Sequence, residues 1–129
     1  MERVPVLKIG DILLVSIQID MEDQVALQLQ EDLADRIVTT GCHGVIIDIT
    51  GVPAVDTQVA QHILKTVVAA RLMGADCIIS GIRPQIAQTI VALGIEFGDI
   101  ATKSSLADAL RHVLRRTGDK VAQKPRREG

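Results

Sequence analysis

Short β-type runs and longer helical stripes of apolar residues alternate along this chain of 129 residues. Two runs rich in aliphatic residues open the sequence, at Pro5–Ile9 and Ile12–Ile17, and the dipeptide Gly10–Asp11 separates them. A two-residue, glycine-containing connection between two such runs is typical of a tight β-hairpin. We therefore predict that the chain begins with two antiparallel strands.

Four later segments have apolar residues at the three- to four-residue spacing of amphipathic helices. We expect Asp20 to cap the first of them, and Pro84 fits the first turn of the third because its missing N–H needs no partner there. The predicted helices are Asp23–Thr40, Thr57–Met73, a third from Pro84 that Gly94 closes, and a fourth that Ser104 or Ser105 caps. The side chains predicted to face inward are Val25, Leu29, Leu33, Ile37 and Val38; Val59, Ile63, Leu64, Val67, Ala70 and Leu72; Ile86, Ile90, Val91 and Leu93; and Leu106, Leu110, Val113 and Leu114.

Three further runs between these helices have the composition of strands. Gly44–Ile49 and Asp76–Ser80 are short and aliphatic, as in buried parallel strands, and a weaker run lies around Phe97–Ala101. The order β-β-α-β-α-β-α-β-α predicts an α/β fold with a mixed, mostly parallel sheet, because strand–helix–strand crossovers give parallel pairs. We expect one domain over residues 1–117 and a flexible basic tail over 118–129, where no periodicity remains.

The composition narrows the function classes. Aromatic residues make up 1% of the chain, so the stacking platforms of many nucleic-acid-binding surfaces are missing. The formal net charge of −2 gives no long-range attraction to polyanions. Cys42 and Cys77 have no metal-binding spacing, and the N-terminus has neither a signal-peptide layout nor a membrane-spanning run. We expect a cytoplasmic protein without nucleic-acid or membrane partners.

The residues that could support catalysis do not form a recognisable site. His43, His62 and His112 have no partner at a metal-ligand spacing, and no nucleophile elbow or acid/base pair of carboxylates stands out. Gly81–Pro84 connects a strand to a helix, where phosphates often bind, but it lacks the residues of a dinucleotide loop or a P-loop. We predict that the protein is not an enzyme and binds neither a metal nor a cofactor.

The segment DITGVPAVDTQV, from Asp48 to Val59, holds most of the remaining information. A strand ends at Asp48, a short loop containing Gly51 follows, and Asp56–Thr57 opens a helix. Asp and Thr are favoured at such a position because their side-chain oxygens accept hydrogen bonds from the unpaired N–H groups of the first turn. Capping alone accounts for both residues.

The same position also suits phosphorylation of Thr57. A phosphothreonine has about −1.5 to −2 charges and three acceptor oxygens. The free N–H groups and the dipole of a helix N-terminus accommodate such a group without unfolding the helix. Because Asp56 is adjacent, the loop would become strongly negative, and a partner docked there would meet like charge. We therefore expect phosphorylation to change binding more than folding.

The stretch GVIIDITGVPAVDT (44–57) resembles the signature of STAS domains of anti-sigma-factor antagonists: an apolar strand ending in Asp, a short loop, and Asp followed by a phosphorylatable Ser or Thr. Four further blocks are similar to STAS proteins of the RsbS type, which belong to stressosomes. These blocks are ILLVSIQ (12–18), QEDL (30–33), RLMGA (71–75) and SGIRPQIAQTIVALGIE (80–96). The resemblance runs from about Val4 to Leu114, so it implies that the whole predicted domain is a STAS domain.

This resemblance implies a scaffold and antagonist. RsbS-type proteins self-associate and assemble with RsbR-type STAS paralogues, and they sequester a kinase of the RsbT type that phosphorylates them under stress and leaves. Carried over by position, Thr57 is the phosphoacceptor, and the partner-binding loop includes Asp48, Gly51, Asp56 and Gln58. The sequence departs from the RsbS pattern in having Thr where that pattern has Ser, although both hydroxyls accept phosphate.

Other interpretations stay open. A stand-alone anti-sigma-factor antagonist would bind an anti-sigma kinase directly, as a small particle, and a nucleotide-binding STAS protein would hold phosphate at Gly81–Pro84. The RsbR-type paralogues have a second threonine phosphosite. Thr89 lies inside the third predicted helix rather than at a helix start, so we do not transfer that site to it.

Overall fold

The computed structural model describes residues 4–18, 22–94 and 101–122, with side chains described as far as Arg115. Nine elements lie within these residues, and they follow the predicted order. They are β1 (Val6–Ile9), β2 (Ile12–Ser16), α1 (Asp23–Thr40), β3 (Gly44–Asp48), α2 (Thr57–Leu72), β4 (Asp76–Ser80), α3 (Pro84–Ala92), β5 (Ala101–Lys103) and α4 (Leu106–Ala122). The predicted α/β fold, with its opening hairpin and four helices, is confirmed.

The strands form one mixed sheet in the order β1-β2-β3-β4-β5. β1 pairs antiparallel with β2 through a turn in which Gly10 has a φ of 58°, a left-handed conformation that suits glycine. The other pairs are parallel, and their register aligns Ser16, Asp48, Ser80 and Lys103 in one row across the sheet. Four strands therefore end at the same edge, which we call the carboxyl edge.

The helices cover the two faces of the sheet unequally. Alternate strand residues such as Leu13 and Val45 pack into a large core with α1, α2 and α3. The intervening residues, such as Ile12 and Ile46, form a smaller core with α4. The alternation follows from the two-residue period of a strand, which sends neighbouring side chains to opposite faces. The result is a three-layer α/β/α domain with an aliphatic interior.

Several side chains predicted to face inward are instead exposed. Leu72 is 83% exposed and Val91 is 78% exposed, and Val38, Leu93 and Leu114 are also at the surface. Each belongs to the last two turns of its predicted helix or to the margin of its apolar stripe. Periodicity locates the centre of a stripe, as the buried Leu29 and Ile63 show, but it does not fix how far the neighbouring layer extends.

Some predicted boundaries differ from the structure. Glu22, not Asp20, is the N-cap residue of α1, and Asp20 lies outside the described residues. Most of the predicted strand around Phe97–Ala101 lies outside them as well; β5 begins only at Ala101. Ser105 caps α4 by accepting a 3.2 Å hydrogen bond from the Asp108 N–H.

The predicted C-terminal tail starts too early. α4 continues through Gly118 to Ala122. Gly118 does not end the helix, since a single glycine costs a helix only about 1 kcal/mol relative to alanine. Residues 123–129 lie outside the described residues, and their flexibility stays a prediction.

Candidate phosphoacceptor loop and its surroundings

The residues between β3 and α2, Ile49 to Asp56, form the connection that precedes Thr57, and we call it the phosphoacceptor loop. At its start, Asp48 is buried, with 8% of its surface exposed. Its Oδ1 atom accepts a 2.7 Å hydrogen bond from the Ser80 hydroxyl and a 2.8 Å bond from the Thr50 hydroxyl. Ile49 also donates its N–H to the Ser80 carbonyl at 2.9 Å. The loop therefore leaves the sheet from a polar cluster in which Asp48 and Ser80 are buried and Thr50 is exposed.

The middle of the loop is a tight turn held by apolar side chains. Val52 donates its N–H to the Ile49 carbonyl at 3.0 Å, and the side chains of Val52 and Val55 are buried. Gly51 lies against Gln18, because a Cβ atom at Gly51 would approach the Gln18 Cγ to 2.9 Å. A larger residue at this position would push the turn away from the end of β2.

The second half of the loop ends in a helix cap. Asp56 has an extended backbone, and its Oδ1 accepts a 2.8 Å hydrogen bond from the Val59 N–H in the first turn of α2. Thr57 is the first residue of α2, and it is exposed. The capping function that the sequence allowed for either residue thus belongs to Asp56. The hydroxyl of Thr57 lies at the surface beside it.

The start of α2 is linked to the start of α1 through Asp23. Gln58 Nε2 donates a 2.6 Å hydrogen bond to Asp23 Oδ1, and His62 Nε2 lies 2.8 Å from the same oxygen. The hydrogen bond from Gln58, followed by that from His62, lowers the pKa of Asp23 below its ordinary value of 3.8. Asp23 is exposed, so this link is open to solvent and to a partner.

An open cleft of about 530 Å³ lies between the start of α1 and the phosphoacceptor loop. Three of its lining residues, Glu22, Asp23 and Asp56, have carboxyl groups, and it is next to Thr57. The surface around the hydroxyl is therefore acidic before any phosphate is added.

The structure divides the predicted site residues into two groups. Asp56, Thr57 and Gln58 are exposed together at the head of α2. Asp48 is buried and holds the start of the loop, whereas Gly51 is exposed and shapes the turn through its close approach to Gln18.

Sequence reasoning missed three residues around this loop. Asp23 and His62 link α1 to α2, and Arg83 donates a hydrogen bond to the loop. Each contact joins residues at least 31 positions apart, so no local pattern indicates it.

Other reactive groups lie in the interior or apart from one another. Desolvation raises the pKa of the half-buried Cys77 thiol to about 12, and Cys42 is buried. Within residues 4–18, 22–94 and 101–122, no group of three or more His, Cys, Asp or Glu side chains is arranged to hold a metal ion. No helix in that part of the chain is both long and apolar enough to cross a bilayer.

The model of the STAS domain family matches residues 3–109 of this chain. The chain therefore belongs to the STAS domain family, as its sequence predicts. The match covers all five strands, three complete helices and the start of α4.

Among curated proteins, two RsbT co-antagonists of Bacillus subtilis (strain 168) are similar to it. RsbRA is 44% identical over 101 residues, which cover 78% of this chain and 37% of RsbRA. RsbRD is 55% identical over 64 residues, which cover 50% of this chain and 23% of RsbRD. The chain thus spans little more than a third of the length of RsbRA and about a quarter of the length of RsbRD.

Two solved structures agree with the fold over most of its length. A serine-to-glutamate variant of RsbS from Moorella thermoacetica has a TM-score of 0.78 at 29% identity, and the match covers 88% of this chain and 99% of that one. A chain from a structure of the stressosome, described as a signal integration and transduction hub, has a TM-score of 0.78 at 28% identity, covering 88% of this chain and 98% of that one. The match covers nearly all of the RsbS chain, while the sequence identity is higher to RsbRA.

Proposed function

We propose that this protein is a stressosome-type STAS scaffold that sequesters a serine/threonine kinase of the RsbT type and releases it when Thr57 is phosphorylated. It has no catalytic activity of its own and acts in the cytoplasm, together with RsbR-type STAS paralogues and further copies of itself. The similarity to RsbT co-antagonists and to stressosome chains supports the scaffold function. The observation that supports the switch is the exposed Thr57 hydroxyl beside the capping Asp56.

The head of α2 has room for a phosphate on its backbone donors. Asp56 uses the Val59 N–H, which is the third of the first turn. The N–H groups of Thr57 and Gln58 precede it, and helix geometry leaves them without an intrahelical acceptor. A phosphate on Thr57 lies close to these donors and to the positive end of the helix dipole, so it does not need to unfold the helix.

The charge around this site explains why a bound kinase leaves. Asp56, Asp23 and Glu22 make the neighbouring cleft acidic before Thr57 is modified. The phosphate adds about two negative charges to this rim. After transfer, those charges lie close to the negatively charged phosphates of the nucleotide in the kinase's catalytic cleft, and like charges repel. Release then follows from repulsion at the surface, with the fold of the STAS domain unchanged.

Phosphate transfer is tested by incubating the protein with an RsbT-type kinase and Mg-ATP, followed by intact-mass analysis and peptide mapping. We expect one phosphate, on Thr57, and none on a Thr57→Ala variant. Thr39→Ala is the matched control, because Thr39 is an exposed threonine in the last turn of α1 and its removal should leave phosphorylation intact. Phosphorylation of Thr57→Ala to the same extent as the unmodified protein overturns the assignment.

Release is tested by calorimetric titration of the kinase into Thr57→Asp and Thr57→Asn. The two side chains have nearly the same size and differ in charge. We expect Asp to weaken binding about fivefold to tenfold, because one surface charge close to a partner contributes roughly 1 kcal/mol. Asn should bind nearly as the wild type does. Equal affinities for the two variants contradict release by charge.

Particle size separates this function from that of a stand-alone antagonist. Mixing the protein with an RsbR-type paralogue and measuring mass by light scattering should give a large assembly. A monomer or dimer under all mixing ratios contradicts the scaffold function and favours a small, directly acting antagonist.

A further inference from the structure

The connection between β4 and α3, residues Gly81 to Arg83, packs against the phosphoacceptor loop at two points. A Cβ atom at Gly81 would clash with the Thr50 hydroxyl and would lie 2.6 Å from the Thr50 nitrogen. Farther along, Arg83 Nη2 donates a 2.9 Å hydrogen bond to the Val52 carbonyl. The two connections therefore lie side by side, and Arg83 is the side chain that bridges them.

The local sequence presets the position of Arg83. Proline restricts the residue before it to an extended backbone, and Arg83, which precedes Pro84, has φ −79° and ψ 154°. α3 is in turn anchored to the large core through Ile86 and Ile90, which are buried. The guanidinium group thus extends from a fixed backbone towards the Val52 carbonyl.

Val52 is the first of two anchored residues in the loop that leads to Thr57, and the second is Val55, whose side chain is buried. The N–H of Val52 is bound within the turn, its side chain is buried, and its carbonyl is bound by Arg83. Pro53 and Ala54, which follow, are exposed. The bond from Arg83 sets the direction in which these residues leave the turn, and with it the approach to the head of α2.

We propose that Arg83 is a positioning residue for the phosphorylation of Thr57, acting through the Val52 carbonyl to hold the loop in the shape that the kinase recognises. This inference rests on the proposed function. Arg83 does not touch the reacting hydroxyl, so its contribution lies in binding the loop and not in transferring the phosphate. Its exposed side chain leaves the bond within reach of solvent.

Steady-state kinetics of phosphorylation test this function. Arg83→Ala should raise the KM for the STAS protein about fivefold to tenfold, the effect of one hydrogen bond of roughly 1 kcal/mol, and leave kcat within about twofold. Arg83→Lys retains a hydrogen-bond donor, so its KM should lie between those of the wild type and Arg83→Ala. Arg111→Ala, which removes an arginine from α4 on the opposite face of the sheet, is the matched control and should leave both constants unchanged.

Hydrogen exchange measured without the kinase provides a second, independent test. Amides in residues 50–56 of Arg83→Ala should exchange faster than in the wild type, whereas the exchange rates of amides in α4 should not change.

If Arg83→Ala fails to fold, Arg83→Gln serves in both experiments with the same expected direction. Wild-type kinetics and wild-type exchange in the variants overturn the inference. A wild-type protein that is not phosphorylated on Thr57 overturns the proposed function instead, and the exchange rates then decide whether Arg83 positions the loop.

Discussion

The Ser80 hydroxyl donates a 2.7 Å hydrogen bond to the buried carboxyl group of Asp48, joining the ends of β3 and β4 where the phosphoacceptor loop begins. A buried polar group is tolerated when its hydrogen bonds are made, and here the Thr50 hydroxyl binds the same Asp48 oxygen. Asp48 therefore holds the loop from within the domain, and it offers almost no surface to a partner.

Replacement of Asp48 should destabilise the fold. Asp48→Ala removes the acceptor of two hydroxyl groups, so we expect the free energy of unfolding to fall by about 2–3 kcal/mol. Ser80→Ala should cost about 1 kcal/mol, because Thr50 still binds Asp48. Urea denaturation measures both. Asp35→Ala, at an exposed carboxylate on α1, is the control, and a loss at Asp48 no larger than at Asp35 contradicts the buried cluster.

The close contact between Gly81 and Thr50 predicts a larger loss of stability when Gly81 is replaced. Gly81 has a φ of 79° and no space for a Cβ atom, so Gly81→Ala should destabilise the domain by about 3 kcal/mol or more. Gly41 is a matched control, because it has a φ of 68° with nothing within 4 Å of an added Cβ atom. Gly41→Ala should cost only about 1–2 kcal/mol, from the left-handed backbone alone. If thermal unfolding shows equal losses of stability for Gly81→Ala and Gly41→Ala, the close approach of Gly81 to Thr50 has no energetic consequence.

The division of functions at the head of α2 is also testable by stability. Asp56→Ala removes the cap and should lower the free energy of unfolding by about 1 kcal/mol. Thr57→Ala should change it by less than about 0.5 kcal/mol, because Thr57 is exposed and is not the cap. A larger loss for Thr57→Ala than for Asp56→Ala in urea denaturation reverses this assignment. The expected result means that Thr57 is available for modification at little cost to the fold.

The link between Asp23 and α2 predicts a pH dependence at the acidic end. The folded pKa of Asp23 is lower than its ordinary value of 3.8, because Gln58 and then His62 bind the charged form. Its stabilising contribution is therefore fully present above that ordinary value, and it is lost as the pH falls through the folded pKa. A carboxyl NMR titration should give a midpoint below 3.8, and Gln58→Ala should raise it. An unchanged midpoint in Gln58→Ala contradicts the link.

The order of the elements could be predicted from the sequence because each depends on a local signal. The turn at Gly10, the proline at Pro84 and the periodic apolar stripes fix where strands and helices begin, and α1 and β4 have their predicted bounds. Surface exposure is different, because it depends on the neighbouring layer. Leu72 continues the apolar stripe of α2, yet it is 83% exposed, and none of the described layers covers it.

The position of the phosphoacceptor loop could be predicted from the sequence, but the contacts that hold the loop could not. Asp56 and Thr57 are adjacent in sequence, so the head of the helix was visible as a pattern. The bond between Arg83 and Val52 depends on the packing of α3 and on two loops that meet only when β3 and β4 pair. The burial of Asp48 depends on the same pairing.

The parallel register that places four strand ends at the carboxyl edge also separates the phosphoacceptor loop from the opposite end of the sheet. The turn at Gly10–Asp11 and the start of β3 lie there, joined by the 2.7 Å contact between Asp11 and His43. Strands of this length separate the two ends by roughly 16 Å. A fluorescent probe or a surface tether attached near Gly10 would leave the loop around Thr57 untouched. Binding and release of a kinase could then be followed in real time on an immobilised domain.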